Sequence, residues 1–213
     1  MSVLPVQSLE SIKLTLKSGN EPFHFSGQSA GFDLRQFWQW SVSDLVSNAT
    51  RGRLAEFIVA SALDAHGAVR SEWDAYDLET PSGIKVEVKS AAYIQSWFQK
   101  RLSKISFLCG ATRGWTAETN LQTTESRRWA DVYVFALLHH QIKETVDPLN
   151  LEQWEFYVLA TADLNQRTRS QHSITLASLQ ATYAPVKYAA LAEAVERAAL
   201  ATSDVKNVLQ VAT

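Results

Sequence analysis

The stretch Tyr76 to Lys89 reads Tyr-Asp-Leu-Glu-Thr-Pro-Ser-Gly-Ile-Lys-Val-Glu-Val-Lys and constrains the fold more than any other part of the chain. Tyr76, Leu78, Ile84, Val86 and Val88 alternate with Asp77, Glu79, Lys85, Glu87 and Lys89, which is the period of half-buried strands. Pro81-Ser82-Gly83 between the two runs is suited to a three-residue hairpin loop, with glycine at its left-handed position. That loop predicts a register: Thr80 facing Ile84, Glu79 facing Lys85, Leu78 facing Val86, Asp77 facing Glu87 and Tyr76 facing Val88. A slip of one residue breaks every match.

The register brings the carboxylates of Asp77 and Glu87 to one face, with Cβ atoms roughly 5 Å apart. Like charges about 4 Å apart repel by on the order of 4 kcal/mol at an effective dielectric near 20, more than a hairpin rung returns. A positive group is therefore expected between them. A hard divalent cation held by oxygen meets that need, with Lys89 close enough to share the site. The alternative is a wet edge where water and neighbouring lysines screen both charges.

An aspartate, a turn, then Glu-x-Lys on the next strand resembles the PD-(D/E)xK nuclease superfamily, with Asp77, Glu87, Val88 and Lys89 on its signature. Tyr76 stands where that family usually has proline, a residue without a part in the chemistry. The resemblance implies an α/β fold of restriction-endonuclease type, a mixed central sheet flanked by helices. It also implies a magnesium ion, replaceable by manganese, on Asp77, Glu87 and the Val88 carbonyl, and DNA as the nucleic-acid partner. Glu56, on a helix before the hairpin, matches an auxiliary acid that orients Lys89 or helps hold a second metal. Gln95 matches a glutamine that steadies the site or contacts the nucleic-acid backbone.

At 213 residues the chain can bury one good core. The sequence suggests an accessory region over 1–49, a nuclease-like core over 50–164 and an extension with a packing helix over 165–213. The lone Cys109 excludes an internal disulfide and fits a reducing cytoplasm. The apolar run Val132 to Leu138 is too short to span a bilayer, and the amino terminus lacks the pattern of a signal peptide, so no membrane association is expected. A net charge of −2 excludes a protein coated in basic residues, but not a local groove. Lys100, Arg101, Lys104, Arg113, Arg127 and Arg128, with Trp115 and Trp129 interleaved, mark a region suited to phosphates. Its other reading is a solvated surface over two buried tryptophans.

Along the chain, Ile12, Leu14 and Leu16 suggest a strand that turns at Gly19-Asn20 and returns through Phe23 to Phe25, an amino-terminal accessory hairpin. Gly27-Gln28-Ser29-Ala30-Gly31 matches the nucleophile elbow of serine hydrolases in form, but too little chain precedes it to build the sheet that elbow needs, so a glycine-rich loop is expected. Phe32, Phe37, Trp38 and Trp40 read as core, or as packing between the amino-terminal part and the main sheet. Thr50 can cap a helix that stops at His66-Gly67. Residues 105–108, 131–138 and 156–160 read as strands, and Pro185 to Leu200 as a final helix. Asp74 is the rival to Asp77, but a continuing strand would turn it to the other side. The five histidines lack the spacing of a zinc site.

These readings converge on a metal-dependent nuclease, a phosphodiesterase whose choice between endo- and exonucleolytic cutting the sequence leaves open. Cutting both strands of a duplex would call for two sites and so for a homodimer. The competing reading is a non-catalytic module of the same fold that binds nucleic acid or protein.

Overall fold

The computed structural model describes residues 11–72, 74–116 and 119–211. The chain opens with β1 (Pro22–Phe25), β2 (Gln28–Asp33), α1 (Leu34–Val42) and α2 (Asn48–Ala62). The hairpin and the crossover after it supply β3 (Leu78–Glu79), β4 (Lys85–Ala92), β5 (Ser106–Leu108), β6 (Thr112–Thr116) and β7 (Leu121–Arg127). Then come β8 (Val132–Leu138), β9 (Trp154–Ala160), α3 (Thr161–Gln166), β10 (Ser173–Thr175), α4 (Leu176–Gln180) and α5 (Leu191–Val211).

The central sheet has the order β3-β4-β8-β9. Its apolar strand β8, buried at every residue, runs parallel to β4 and antiparallel to β9. An uninterrupted run of Val, Tyr, Phe, Ala and Leu is what a strand covered on both faces requires. On one face α2 and α5 pack through Ala55, Ile58, Val59, Leu191 and Val195 against Val86, Val88, Val132 and Val134. On the other face Phe107, Ile174 and Leu179 close over Tyr133, Phe135, Tyr157 and Leu159. The result is the expected α/β mixed sheet flanked by helices, with β5 and β10 forming an antiparallel pair of their own on the second face.

Alternation along β4 decides where the chemistry can lie. Val86 and Val88 point into the α2 core, so Glu87 and Lys89 point to the other face. There the parallel register sets Glu87 beside Tyr133 and Lys89 beside Phe135. A parallel pair needs a crossover, and this one carries β5 and the β6–β7 hairpin.

Several expectations change. The amino-terminal hairpin exists, but it joins β1 to β2; residues 11–17 form no strand. Ser26 and Gly27 turn it, both at positive φ, so Gly27-Gln28-Ser29-Ala30-Gly31 runs from a turn into a strand and makes no elbow. The aromatic cluster is not core: Phe32, Phe37, Trp38 and Trp40 are all exposed, Trp40 to 84%. Helix α2 begins at Asn48 after Ser47, and Thr50 bonds the Ser47 hydroxyl at 3.1 Å where it was expected to cap. The basic stretch contains β6 and β7, whose polar, solvent-facing sequence gave little strand signal. In α5 the expected stripe holds, with Leu191 and Val195 fully buried. Among the described residues, no helix is long and apolar enough to cross a membrane.

Candidate active site

The hairpin around Pro81-Ser82-Gly83 has the predicted register next to the turn, but the expected rungs of Asp77 with Glu87 and Tyr76 with Val88 are not paired. Leu78 pairs with Val86 and Glu79 with Lys85. Thr80 N–H donates to the Ile84 carbonyl at 3.0 Å, and Gly83 N–H to the Thr80 carbonyl at 2.8 Å. Gly83 has φ +84°, the left-handed conformation the loop demands. The strand before the turn is shorter than its alternation suggested, because the ladder breaks at Asp77, whose N–H donates to the Val86 carbonyl at 3.1 Å.

That break places the Asp77 carboxylate on the edge of β4. Its Oδ2 accepts the Val88 N–H at 2.8 Å, which pins the side chain beside Glu87. In an extended strand the N–H and C=O of one residue point to the same side, so the Val88 carbonyl also faces this edge, beyond the end of β3. Asp77 and Glu87 line one cleft of about 420 Å³, with Glu72, Asp74 and Arg113 on its walls. Lys89 Nζ forms an ion pair with Glu87.

The charges respond to this crowding. Burial pushes the Asp77 carboxyl above its ordinary value, and the nearby Glu87 charge adds to the push against smaller opposing effects of Lys89, the Val88 N–H and Arg70. For Lys89, burial favours the neutral amine, but the Glu87 and Asp77 carboxylates outweigh it and hold the ammonium above the usual lysine value. Lys89 is therefore a cation paired with Glu87 and lying in the field of Asp77.

Other expected residues take other places. Glu56 is on α2 and contributes to the field at Lys89, but its carboxylate is held in an ion pair by Arg70. Gln95 does not reach the carboxylates. It is 6% exposed, accepts from Arg51 Nη1 at 3.4 Å, and donates to the Ala92 carbonyl at 3.0 Å and to Ser103 Oγ at 3.2 Å. Arg51 in turn donates from Nε to Ser90 Oγ at 3.2 Å. The glutamine thus braces the end of β4 from behind and is too buried to contact a nucleic-acid backbone. Asp74 shares the Asp77 cleft as a wall.

Two contributors were not found from sequence. A second cleft, about 290 Å³, joins Glu87 and Lys89 to Tyr133, Trp129 and His172. Tyr133 is 4% exposed, and its phenol is kept protonated by burial and by the Glu87 charge. Arg70 reaches the site from the segment after α2, with Asp77 and Glu72 in its field. Tyr133 inside an apolar run carries no local signal, since its place beside Glu87 depends on the parallel pairing of distant strands.

The model of the bacteriophage T4 endonuclease IV family matches residues 34–178, about two thirds of the chain. The chain belongs to this family. The endonuclease IV match opens at α1 and closes inside α4, so it takes in the whole central sheet and all of Asp77, Glu87, Val88 and Lys89. No curated protein matches the chain.

Proposed function

We propose that this member of the endonuclease IV family is a metal-dependent nuclease of PD-(D/E)xK type that hydrolyses phosphodiester bonds in DNA. The observation that supports it is the convergence of Asp77, Glu87 and Lys89 at the edge of β4, with the Asp77 side chain fixed by the Val88 N–H. Family membership supplies the independent support for nucleic-acid cleavage.

The donor set fits magnesium or manganese. Two carboxylates and a backbone carbonyl are hard oxygen ligands, the class that magnesium and manganese prefer. When bound there, the cation supplies Lewis-acid polarisation of the phosphate and a more acidic water. Burial first and the Glu87 charge second raise the Asp77 value, so a positive group beside the two carboxylates would favour their charged form.

The chain's own part follows from the geometry. Asp77 and Glu87 would hold the cation at the strand edge, which the Val88 carbonyl also faces. Lys89 would hold or help deprotonate the attacking water and offset charge as the pentavalent phosphorus forms. Glu56, restrained by Arg70, adds negative field behind Lys89. Gln95 and Arg51 keep β4 in place.

Incubating the purified protein with linear, circular and single-stranded DNA, with and without magnesium, tests the reading. Cleavage should need the metal and should fall by at least about 10³-fold in Glu87→Ala, whose circular dichroism matches the parent. A Glu87→Ala protein that cuts like the parent overturns the assignment. Magnesium binding that disappears in Asp77→Ala separates the enzyme from a non-catalytic module of the same fold. Sedimentation on duplex DNA shows whether two copies assemble to cut both strands.

A further inference from the structure

A cleft of about 890 Å³ opens on the Lys85 side of the carboxylate pair and has no part in the site described above. It falls within the roughly 300–1,000 Å³ of ordinary ligand pockets. Lys85 is two residues before Glu87 on the same face of β4, about 6.6 Å along the strand. Trp129 lines both this cleft and the one holding Glu87 and Lys89, so the two share a wall.

The lining is cationic, and its two arginines are held in place. Lys85, Arg127 and Arg128 face a single carboxylate, Asp131. Arg128 is fastened by the Cys109 carbonyl at 2.8 Å, Asn165 Oδ1 at 2.6 Å, and the Gln171 carbonyl and Oε1 at 2.7 and 3.0 Å. All four partners are neutral, so these bonds hold the guanidinium without cancelling its charge. Arg127 stacks its guanidinium 4.0 Å over the Trp129 ring. On the Asp77 side of Glu87 the lining is the reverse: Glu72, Asp74 and Asp77 with Arg113.

We propose that this cleft binds the backbone phosphate next to the scissile one, on one side only, so that DNA enters over Lys85 and Arg127 and ends its close contact at Glu87. The proposal rests on the nuclease reading for the position of the scissile group. A polyanion needs pre-placed cations along its path, and here Lys85 on β4 stands on the approach to Glu87, with Arg127 and Arg128 lining the same cleft. The acidic wall on the Asp77 side repels the same chain. Arginine held flat on an aromatic ring and arginine fixed by four bonds both offer charge with little ordering cost.

The test measures binding of labelled DNA to the full chain by fluorescence anisotropy in metal-free buffer, across a salt series, for the parent, Lys85→Ala, Arg127→Gln and the double variant. The double variant should bind about tenfold more weakly, with the slope of log affinity against log salt reduced by about 1 for each residue. Arg197→Ala, on α5 at the opposite face of the sheet, should match the parent. Unchanged affinity and slope in the double variant, or no DNA binding by the parent, overturn the proposal. In magnesium, substrates with neutral methylphosphonate linkages on one side of the cut and then the other should slow cleavage in one polarity only; equal slowing on both sides also overturns it. Absence of any cleavage counts against the nuclease reading instead, and the binding series then decides on the cleft alone.

Discussion

At the scale of single residues, Asp77 is held above its ordinary carboxylate value by burial first and by Glu87 second. The folded chain therefore binds this proton more tightly than the unfolded chain, and folding takes up protons as the pH falls. The favourable contribution is full below the ordinary value of 3.8 and is lost as the pH climbs through the raised folded value. Above that window Asp77 opposes folding in the metal-free protein. Asp77→Asn should accordingly melt at a higher temperature than the parent at neutral pH with chelator present, and the advantage should shrink on acidification. Calorimetry from pH 4 to pH 8 checks both the sign and the slope; a gap that grows toward acid would contradict the desolvated carboxyl. Added magnesium should raise the melting temperature of the parent and leave Asp77→Asn nearly unmoved.

At the scale of elements, β4 is braced at its far end and walled along its exposed face. Gln95 and Arg51 supply the brace, and both are buried. Replacing Gln95 with alanine leaves Arg51 short of an acceptor and should cost about 1–3 kcal/mol in urea unfolding. Magnesium affinity should change little, because neither of the proposed carboxylate ligands is touched. The wall depends on Gly114 in β6, where an added Cβ would lie 2.9 Å from Trp129 Cζ2. Gly114→Ala must push the indole, whose Nε1 donates to the Thr112 carbonyl at 2.8 Å, and with it the stacked Arg127. DNA affinity should drop while magnesium binding at the proposed Asp77–Glu87 site stays intact, a split that calorimetry with magnesium and anisotropy with DNA would display.

At the scale of the whole molecule, the sequence was most legible where structure is local. The turn at Gly83 and the 78↔86 register follow from neighbouring residues, and so does the stripe of α5. Legibility failed where distant segments decide. Tyr133 meets Glu87 only through a parallel pairing about 46 residues apart, β6 and β7 are polar strands with no alternation to show, and Gln95, in the loop after β4, is turned inward by Arg51 from α2. The amino-terminal aromatics misled for a different reason: Phe32, Phe37, Trp38 and Trp40 have core chemistry but stay exposed. Because β1, β2 and α1 bury no residue, deleting residues 1–42 should leave cooperative unfolding with a melting temperature within about 5 °C of the parent.

The connection from β4 to β8 carries a last consequence. One edge of the proposed reaction floor is a strand whose neighbour is reached only after a long excursion, and that excursion includes the Arg127–Trp129 stack. Floor and wall are thus successive parts of one polypeptide path, yet the sheet itself does not need the wall's side chains to close. Relatives could exchange the excursion wholesale, altering which nucleic acid is gripped, while inheriting the acids and the lysine unchanged.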